Sequence, residues 1–249
     1  MWELYDALIG GVDSVEPLDE VVMGDAWTMV TSGGRCGVAM SIPAQSRPRL
    51  FRGDYQGLPL REAAGLVKSW NLAEGGVGMA AINAFYNTKE RLDRYGARQP
   101  EHEFCTAGIE LAGKRVGFIG HFRMQGDPLA EAEDTVILEK RPQPGDYPDS
   151  ACEYLLDGCG VVVITGSALT NKTMPRLLQL CRKSVVVLAG PSVPMTPRLF
   201  DFGVFRLAGL IVTNPVKMKE FVLSGRHGPP YQYGEWFRLD HQSEKEMIN

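Results

Sequence analysis

Residues 160–167 of the chain read GVVVITGS, and this stretch decides the fold class. Val161–Thr165 is a continuous apolar run rich in β-branched residues, which predicts a strand that is covered on both faces. Glycine follows directly, and apolar residues then recur at helical spacing over Asn171–Cys181. A strand, a turn and a helix in this order form the repeating unit of a parallel α/β sheet.

Four similar runs flank this stretch along the second half of the chain. They are Arg115–Gly120, Thr135–Glu139, Ser184–Ala189 and Ala208–Val212. Helical segments are predicted at Ser150–Leu156, Thr196–Phe202 and Pro215–Ser224. The alternation predicts a doubly wound parallel sheet of five strands, with an edge strand and then a charged end within residues 225–249.

The first hundred residues have a different pattern, which predicts a small α+β unit. Its strands are predicted at Glu20–Met23, Trp27–Thr31 and Gly37–Ser41, with a turn at Ser32-Gly33-Gly34. Its helices are predicted at Met1–Ile9, Leu60–Ser69 and Asn71–Tyr86. The polar segment Arg91–Gly113 is predicted to link the two halves. The expected domains are therefore residues 1–100 and 101–249.

The predicted helix Asn71–Tyr86 is unusual in its small residues. Asn71 and Glu74 have the spacing of a reciprocal N-terminal cap. Each glycine inside a helix costs about 1 kcal/mol relative to alanine, so Gly75, Gly76 and Gly78 need a compensating close approach. Two interpretations remain open: tight packing against a neighbouring element, or room for a ligand at the first turn.

Composition limits the class of partner. Lys and Arg number 26 and Asp and Glu number 30, a net charge of −4, which argues against nucleic acid and anionic membranes as partners. The 5 cysteines are scattered without a CxxC pair, which favours reduced thiols in a cytoplasmic protein. Neither a signal peptide nor a transmembrane helix is predicted. A small molecule or metal ion is the expected ligand, and a homodimer is the default expectation for the assembly.

Ligands of parallel sheets bind beyond the carboxyl ends of the strands, where much of the Gly and Pro of this chain is concentrated. His121 follows the first predicted strand, and Glu139 and Asp146 follow the second. An imidazole with two carboxylates can hold a transition metal or serve in acid–base chemistry. The residues expected to line the same edge are Gly120, Thr165, Asn171 and Gly190. Turn and helix-cap roles are the structural alternative for these polar residues.

Two other ligand classes stay open. The dinucleotide fingerprint is incomplete, because Gly117 and Gly120 are followed by bulky residues, yet Glu139 has the spacing of a ribose-binding acid. An enzyme that uses NAD or an S-adenosylmethionine-like cofactor is therefore the alternative function. Arg47, Arg49 and Arg52 could instead hold an anionic ligand in a binding module without catalysis.

Several motifs together resemble the family described as "Putative heavy-metal chelation". They are Gly57-Leu58-Pro59-Leu60-Arg61, Lys68-Ser69-Trp70-Asn71, residues 80–87, Gly120-His121-Phe122, Gly145-Asp146-Tyr147-Pro148, residues 165–178 and Gly190-Pro191 with Pro194. The resemblance covers residues 1–225. It implies an enolase N-terminal-like domain joined to a Rossmann-like domain, and an interdomain cleft that binds a heavy metal or a metal-chelating molecule. The cleft residues it implies are Ser32, Gly33, Ser69, Asn71, Glu74, His121, Glu139, Asp146, Thr165 and Asn171. Because the cysteines lie outside these motifs, the metal ligands are expected to be nitrogen and oxygen atoms.

Overall fold

The computed structural model describes residues 2–42, 47–100, 106–122 and 129–241. The strands are β1 (Glu20–Met23), β2 (Trp27–Ser32), β3 (Arg35–Met40), β4 (Arg115–Ile119), β5 (Asp134–Glu139), β6 (Tyr147–Pro148), β7 (Val161–Thr165), β8 (Val185–Ala189), β9 (Arg206–Val212) and β10 (Gly234–Asp240). The α-helices are α1 (Glu3–Gly10), α2 (Leu60–Gly65), α3 (Leu72–Tyr86), α4 (Lys89–Tyr95), α5 (Cys152–Leu155), α6 (Ser167–Thr170), α7 (Met174–Leu180) and α8 (Pro215–Leu223). In the described ranges, no helix is both long and apolar enough to cross a membrane.

The larger sheet has seven strands in the order β10-β9-β8-β7-β4-β5-β6. The strands from β9 to β6 run parallel, and β10 pairs antiparallel with β9 at one edge. Residues 161–164 of β7 are each 0% exposed, and they alternate between two apolar clusters on opposite faces of the sheet. Burial on both faces explains the run without polar alternation and confirms the predicted mixed α/β fold class.

The observed sheet contains the predicted strands and one further strand at its edge. The five predicted strands are all present, and the expected edge strand is Gly234–Asp240. The two-residue strand Tyr147–Pro148 was not predicted. The charged end, residues 242–249, lies outside the described residues.

The smaller sheet is the antiparallel meander β1-β2-β3. Ser32 pairs with Arg35 across a two-residue turn. Gly33 and Gly34 in that turn have φ of 55° and 75°. A type I′ turn requires positive φ at both central residues, so the predicted Ser32-Gly33-Gly34 turn is confirmed.

The small residues of α3 allow close packing on two sides. A Cβ atom at Gly78 would lie 2.0 Å from the backbone nitrogen of Val67, which follows α2. The strand β3 also packs against α3, since a Cβ atom at Gly37 of β3 would lie 2.2 Å from the carbonyl oxygen of Ala80 of α3. Helix α3 therefore touches the backbone of both neighbours, and the tight-packing interpretation holds at Gly78.

Two predicted segments need correction. Arg91–Gly113 is not a linker throughout, because its first residues belong to α4, which begins after the N-cap Thr88 and ends at Tyr95, before the C-cap Gly96 with φ of 73°. The predicted helix Thr196–Phe202 is a 3-10 helix over Pro197–Phe202. These short elements are set by caps and by proline, which a search for apolar periodicity does not detect.

Two predicted helices are also shorter than expected. Helix α2 ends at Gly65 and continues as a 3-10 turn over Leu66–Lys68. Helix α7 begins only at Met174, because Lys172 has φ of 66° and breaks the helical path. The Asn171 side chain accepts a hydrogen bond from Thr173 N at 3.0 Å, as in a turn.

The two halves of the chain meet through buried polar contacts and a shared core. Asn87 donates to the carbonyl oxygens of Val193 and Leu210, and Tyr5 donates to that of Leu169. One hydrophobic cluster includes residues on both sides of residue 100. The half of the chain that contains α3 thus contacts segments that follow β7 and β8. The division into domains of residues 1–100 and 101–249 stays a prediction.

Candidate functional site

The order of the large sheet creates a switch point between β4 and β7. The chain leaves β4 toward β5 on one side, and leaves β7 toward β8 on the other. The loops after these two neighbouring strands therefore diverge, and open parallel sheets typically bind ligands in a crevice at this place, beyond the carboxyl ends of the strands. Gly120 and Gly166 are the first residues of the two loops.

His121 lies at this edge between two carboxylates. Its Nε2 atom is 3.1 Å from Asp146 Oδ2, and its Nδ1 atom is 3.8 Å from Glu139 Oε1. The His121 side chain is 38% exposed, so the ring is open to solvent on part of its surface. The structure thus brings together the three predicted metal-site residues.

Both carboxylates are held in place by the backbone around them. Glu139 Oε2 accepts a hydrogen bond from Lys140 N at 2.7 Å, and Asp146 Oδ2 accepts one from Gln143 N at 2.6 Å. The Asp146 side chain is 5% exposed, in a turn that Gly145 permits with φ of 100°. These hydrogen bonds fix the orientation of both carboxylates.

Three of the other predicted residues adjoin this group. A Cβ atom at Gly120 would lie 3.2 Å from Thr165 Cγ2 and 3.9 Å from Glu139 Oε1. A Cβ atom at Gly190 would lie 4.0 Å from Thr165 Oγ1. Gly120 and Gly190 have φ of 96° and 120°, so glycine is needed for the turn as well as for the space. Gly120, Thr165 and Gly190 therefore lie next to one another at this edge of the sheet, and Gly120 adjoins Glu139.

A second group surrounds the first turn of α3. Ser69 Oγ accepts a hydrogen bond from Asn71 N, and Asn71 Oδ1 accepts one from Glu74 N at 3.1 Å. Gly75 in the same turn faces the Lys172 ammonium and the Thr170 carbonyl group, beside Asn171. Ser69, Asn71, Glu74 and Asn171 thus lie at one junction of α3 with the loop that follows α6.

Glu74 does not close the reciprocal cap that was predicted. Its side chain accepts hydrogen bonds from Leu50 N at 2.6 Å and Phe51 N at 2.9 Å, and it is fully buried. Arg49 lies 3.9 Å from the same carboxylate, with its guanidinium over the Tyr55 ring. Glu74 anchors this loop, and Arg49 is engaged within the protein.

Ser32 and Gly33 lie apart from both groups. Ser32 Oγ donates to Pro17 O, and Gly33 N donates to Asp19 Oδ2. At the opposite end of the same hairpin, Met40 N donates to Ser192 Oγ in the loop after β8. Six-residue strands separate the two ends by about 17 Å, so the structure does not bring Ser32 and Gly33 to the crevice.

The described cysteines lie in the protein interior, where burial favours the protonated thiol. Cys36, Cys152, Cys159 and Cys181 are all buried, and Cys105 lies outside the described residues. Burial raises the thiol pKa of Cys36 and Cys181 to about 12 and that of Cys152 to about 11. Protonated thiols bind metals poorly, which agrees with a nitrogen and oxygen donor set.

The His121 group fits a metal only in part. His121 Nε2 is within hydrogen-bond distance of Asp146, at 3.2 Å from Oδ1, and about 3 Å is also the separation of two donors of one metal ion. Nδ1 lies on another edge of the ring, so Glu139 faces a different direction and is suited to orient the imidazole. Among the residues that the structure describes, no three or more His, Cys, Asp or Glu side chains form a group that could hold a metal ion.

Comparison with known families agrees with this architecture. The profile of the DUF364 family, described as "Putative heavy-metal chelation", matches residues 108–239. The chain belongs to this family. The DUF4213 profile, which has the same description, matches residues 5–86. The large sheet thus lies in the DUF364 region, and α3 lies in the DUF4213 region.

Solved structures of DUF364 proteins are similar over nearly the whole chain. A protein of unknown function from Desulfitobacterium hafniense DCB-2 is 36% identical, with a TM-score of 0.84, and the match covers 96% of this chain and 98% of that one. A second, from Pyrococcus horikoshii, is 20% identical with a TM-score of 0.79 over 96% and 100% of the two chains. A search of curated proteins found no match.

One polar residue of this DUF364 protein has a position that sequence reasoning did not identify. Lys172 Nζ lies beside the first turn of α3 and donates to Thr170 O at 2.9 Å. Lys172 lies within the family-like stretch 165–178, but the position of its side chain depends on a positive φ and on a helix about one hundred residues earlier. Its place in that stretch, after a predicted strand, is the signal that the sequence offers.

Proposed function

We propose that this protein binds a metal ion that is carried by a small chelating molecule, at the carboxyl edge of its parallel sheet. His121 Nε2 and Asp146 would supply two donors, while Glu139 would orient the imidazole from the Nδ1 side. The observation that carries the proposal is the position of the His121 ring between the two carboxylates. The family description is compatible with it.

The incomplete donor set supports a metal–chelate complex rather than a bare ion. A transition metal with nitrogen and oxygen ligands takes four to six donors, and the protein offers two at this place. The chelator would fill the remaining positions. Its body would lie along the crevice formed by Gly120, Thr165 and Gly190, where no side chain at either glycine blocks the approach.

The test is a calorimetric titration with nickel nitrilotriacetate, whose chelator leaves two positions open on the metal. We expect one complex to bind per chain, and we expect His121→Ala to weaken binding by about 100-fold or more, because a lost donor costs more than a lost orienting group. Glu139→Gln is expected to weaken binding by about 10-fold.

Two controls define the result. His227→Ala removes an exposed histidine far along the chain from the group and should bind as the unaltered protein does. Nickel EDTA, which has no open position, should not bind. Equal affinity of the His121→Ala and His227→Ala proteins for nickel nitrilotriacetate would refute the proposal.

A nucleotide-type cofactor is the second candidate ligand, and one observation favours it. Glu139 ends β5 beside the glycine turn of β4, where dinucleotide-binding sheets place the acid that binds ribose. This candidate predicts that NAD or S-adenosylmethionine raises the melting temperature and that Glu139→Gln removes the shift. Binding of nickel nitrilotriacetate without any such shift would favour the metal chelate.

A further inference from the structure

Lys172 places an amine at the junction between α3 and the loop that follows α6. Its Nζ atom donates to Thr170 O at 2.9 Å, and the residue is half-buried. A Cβ atom at Gly75 would lie 2.7 Å from the same Nζ and 3.5 Å from Ser69 O. The ammonium group thus occupies space that exists because α3 has glycine at this turn.

This ammonium lacks a direct counter-ion in the described part of the chain. Glu74 is the acidic group that acts on it, but no carboxylate there lies within 4.0 Å of Nζ. The Glu74 oxygens are already bound by Leu50 N and Phe51 N, with Arg49 at 3.9 Å. Burial lowers the pKa of Lys172 to about 8, and Glu74 only partly opposes this change. A partly buried cation without a direct counter-ion is unfavourable, and an anion would stabilise it.

Lys172 and its neighbour Thr170 have two features that are unfavourable for stability, a positive φ and a buried hydroxyl without a hydrogen bond. Lys172 has φ of 66°, and it is the sole non-glycine residue with positive φ in the described ranges. Beside it, Thr170 is 0% exposed, and its Oγ1 atom has no hydrogen-bond partner. Unfavourable φ values and unpartnered buried groups concentrate at ligand sites, where the ligand completes the contacts.

We propose that Lys172 is the cation of a carboxylate-binding subsite between α3 and the loop that follows α6, where a small carboxylic acid supplies the missing counter-ion. The ligand class is a small di- or tricarboxylate. The proposal extends the proposed function, since metal chelators commonly carry carboxylates, but it is tested without metal, so that each can fail separately.

The experiment titrates the full chain with malonate, succinate and citrate in buffer freed of metal by a chelating resin. At least one of these acids is expected to bind with a Kd below the millimolar range. Lys172→Met should weaken that binding by about 10-fold or more, because a charge-assisted contact is lost. Lys183→Met, which removes a lysine that is 79% exposed, is the matched control and should bind normally. His121→Ala should also bind normally, because no metal is present.

A second pair of variants moves the ammonium without removing it. Gly75→Ala adds a methyl group 2.7 Å from Lys172 Nζ, whereas the methyl group of Gly76→Ala meets nothing closer than 3.5 Å. Gly75→Ala should weaken carboxylate binding and Gly76→Ala should not, while both keep the melting temperature of the parent or raise it.

Proton uptake separates a ligand contact from a structural role. A bound carboxylate raises the pKa of Lys172 from about 8, so binding at pH 8 should take up protons and give a binding enthalpy that depends on the buffer. Lys172→Met should abolish this uptake. If none of the three acids binds, or if Lys172→Met binds them with unchanged affinity and proton uptake, the proposal is overturned.

Discussion

Replacing Asn87 by alanine is expected to lower the free energy of unfolding by about 3–5 kcal/mol, since each buried polar group left unpaired costs about 1–3 kcal/mol. Asn87 caps the carboxyl end of α3 and is 3% exposed. Its Nδ2 atom donates to Val193 O at 2.8 Å and to Leu210 O at 3.1 Å, and its Oδ1 atom accepts from Met195 N at 2.8 Å. Alanine would remove the hydrogen-bond partner of all three backbone groups, which lie at the contact between the two halves.

Urea unfolding of Asn83→Ala provides the matched comparison. Asn83 lies one turn earlier on α3 and is 1% exposed, but it makes a single described hydrogen bond, from Nδ2 to Val38 O. Its Oδ1 atom has no partner, so its loss is expected to cost about 1–2 kcal/mol. Equal losses in the two variants would show that the Asn87 contacts do not hold the halves together.

Gly78→Ala is expected to destabilise the protein by about 3 kcal/mol, at the upper end of the usual range for overpacking. The added methyl group would lie 2.0 Å from Val67 N and 2.5 Å from Leu66 C. Both atoms belong to backbone and cannot rotate away. Helix α3 would have to separate from the 3-10 turn after α2, which would open buried apolar contacts along both elements.

Gly76→Ala tests the same helix in a place that has room. No atom lies within 3.4 Å of its added methyl group, and alanine is favoured over glycine in a helix by about 1 kcal/mol. Thermal or urea unfolding should therefore show a small gain for Gly76→Ala and a large loss for Gly78→Ala. A neutral Gly78→Ala variant would contradict the packing of α2 and α3 described above.

The parallel strands could be predicted from the sequence because burial on both faces leaves a direct mark. Val161–Thr165 has the predicted bounds, and the Gly33-Gly34 turn was predicted from local backbone requirements. Helix α4 and the 3-10 segment Pro197–Phe202 were missed or assigned the wrong type, because their apolar periodicity is weak. Such short elements depend on caps and on neighbours in space.

Part of the candidate site could also be predicted from the sequence. His121, Glu139 and Asp146 converge because they follow adjacent parallel strands, which sequence order alone suggests. The contacts of Glu74 with the loop at residues 50–51 and the position of Lys172 beside Gly75 were not predictable. They join segments that are distant along the chain, and one of them requires an unusual φ.

The most direct measurement of the proposed metal site is an anomalous difference map, recorded at the nickel absorption edge, from crystals of the protein soaked with nickel nitrilotriacetate. We predict one peak at coordination distance, about 2.0–2.2 Å, from His121 Nε2 and from an Asp146 carboxylate oxygen, and no peak there in the His121→Ala protein. A peak at another histidine, or an empty map around His121 at saturating complex, would contradict the assignment.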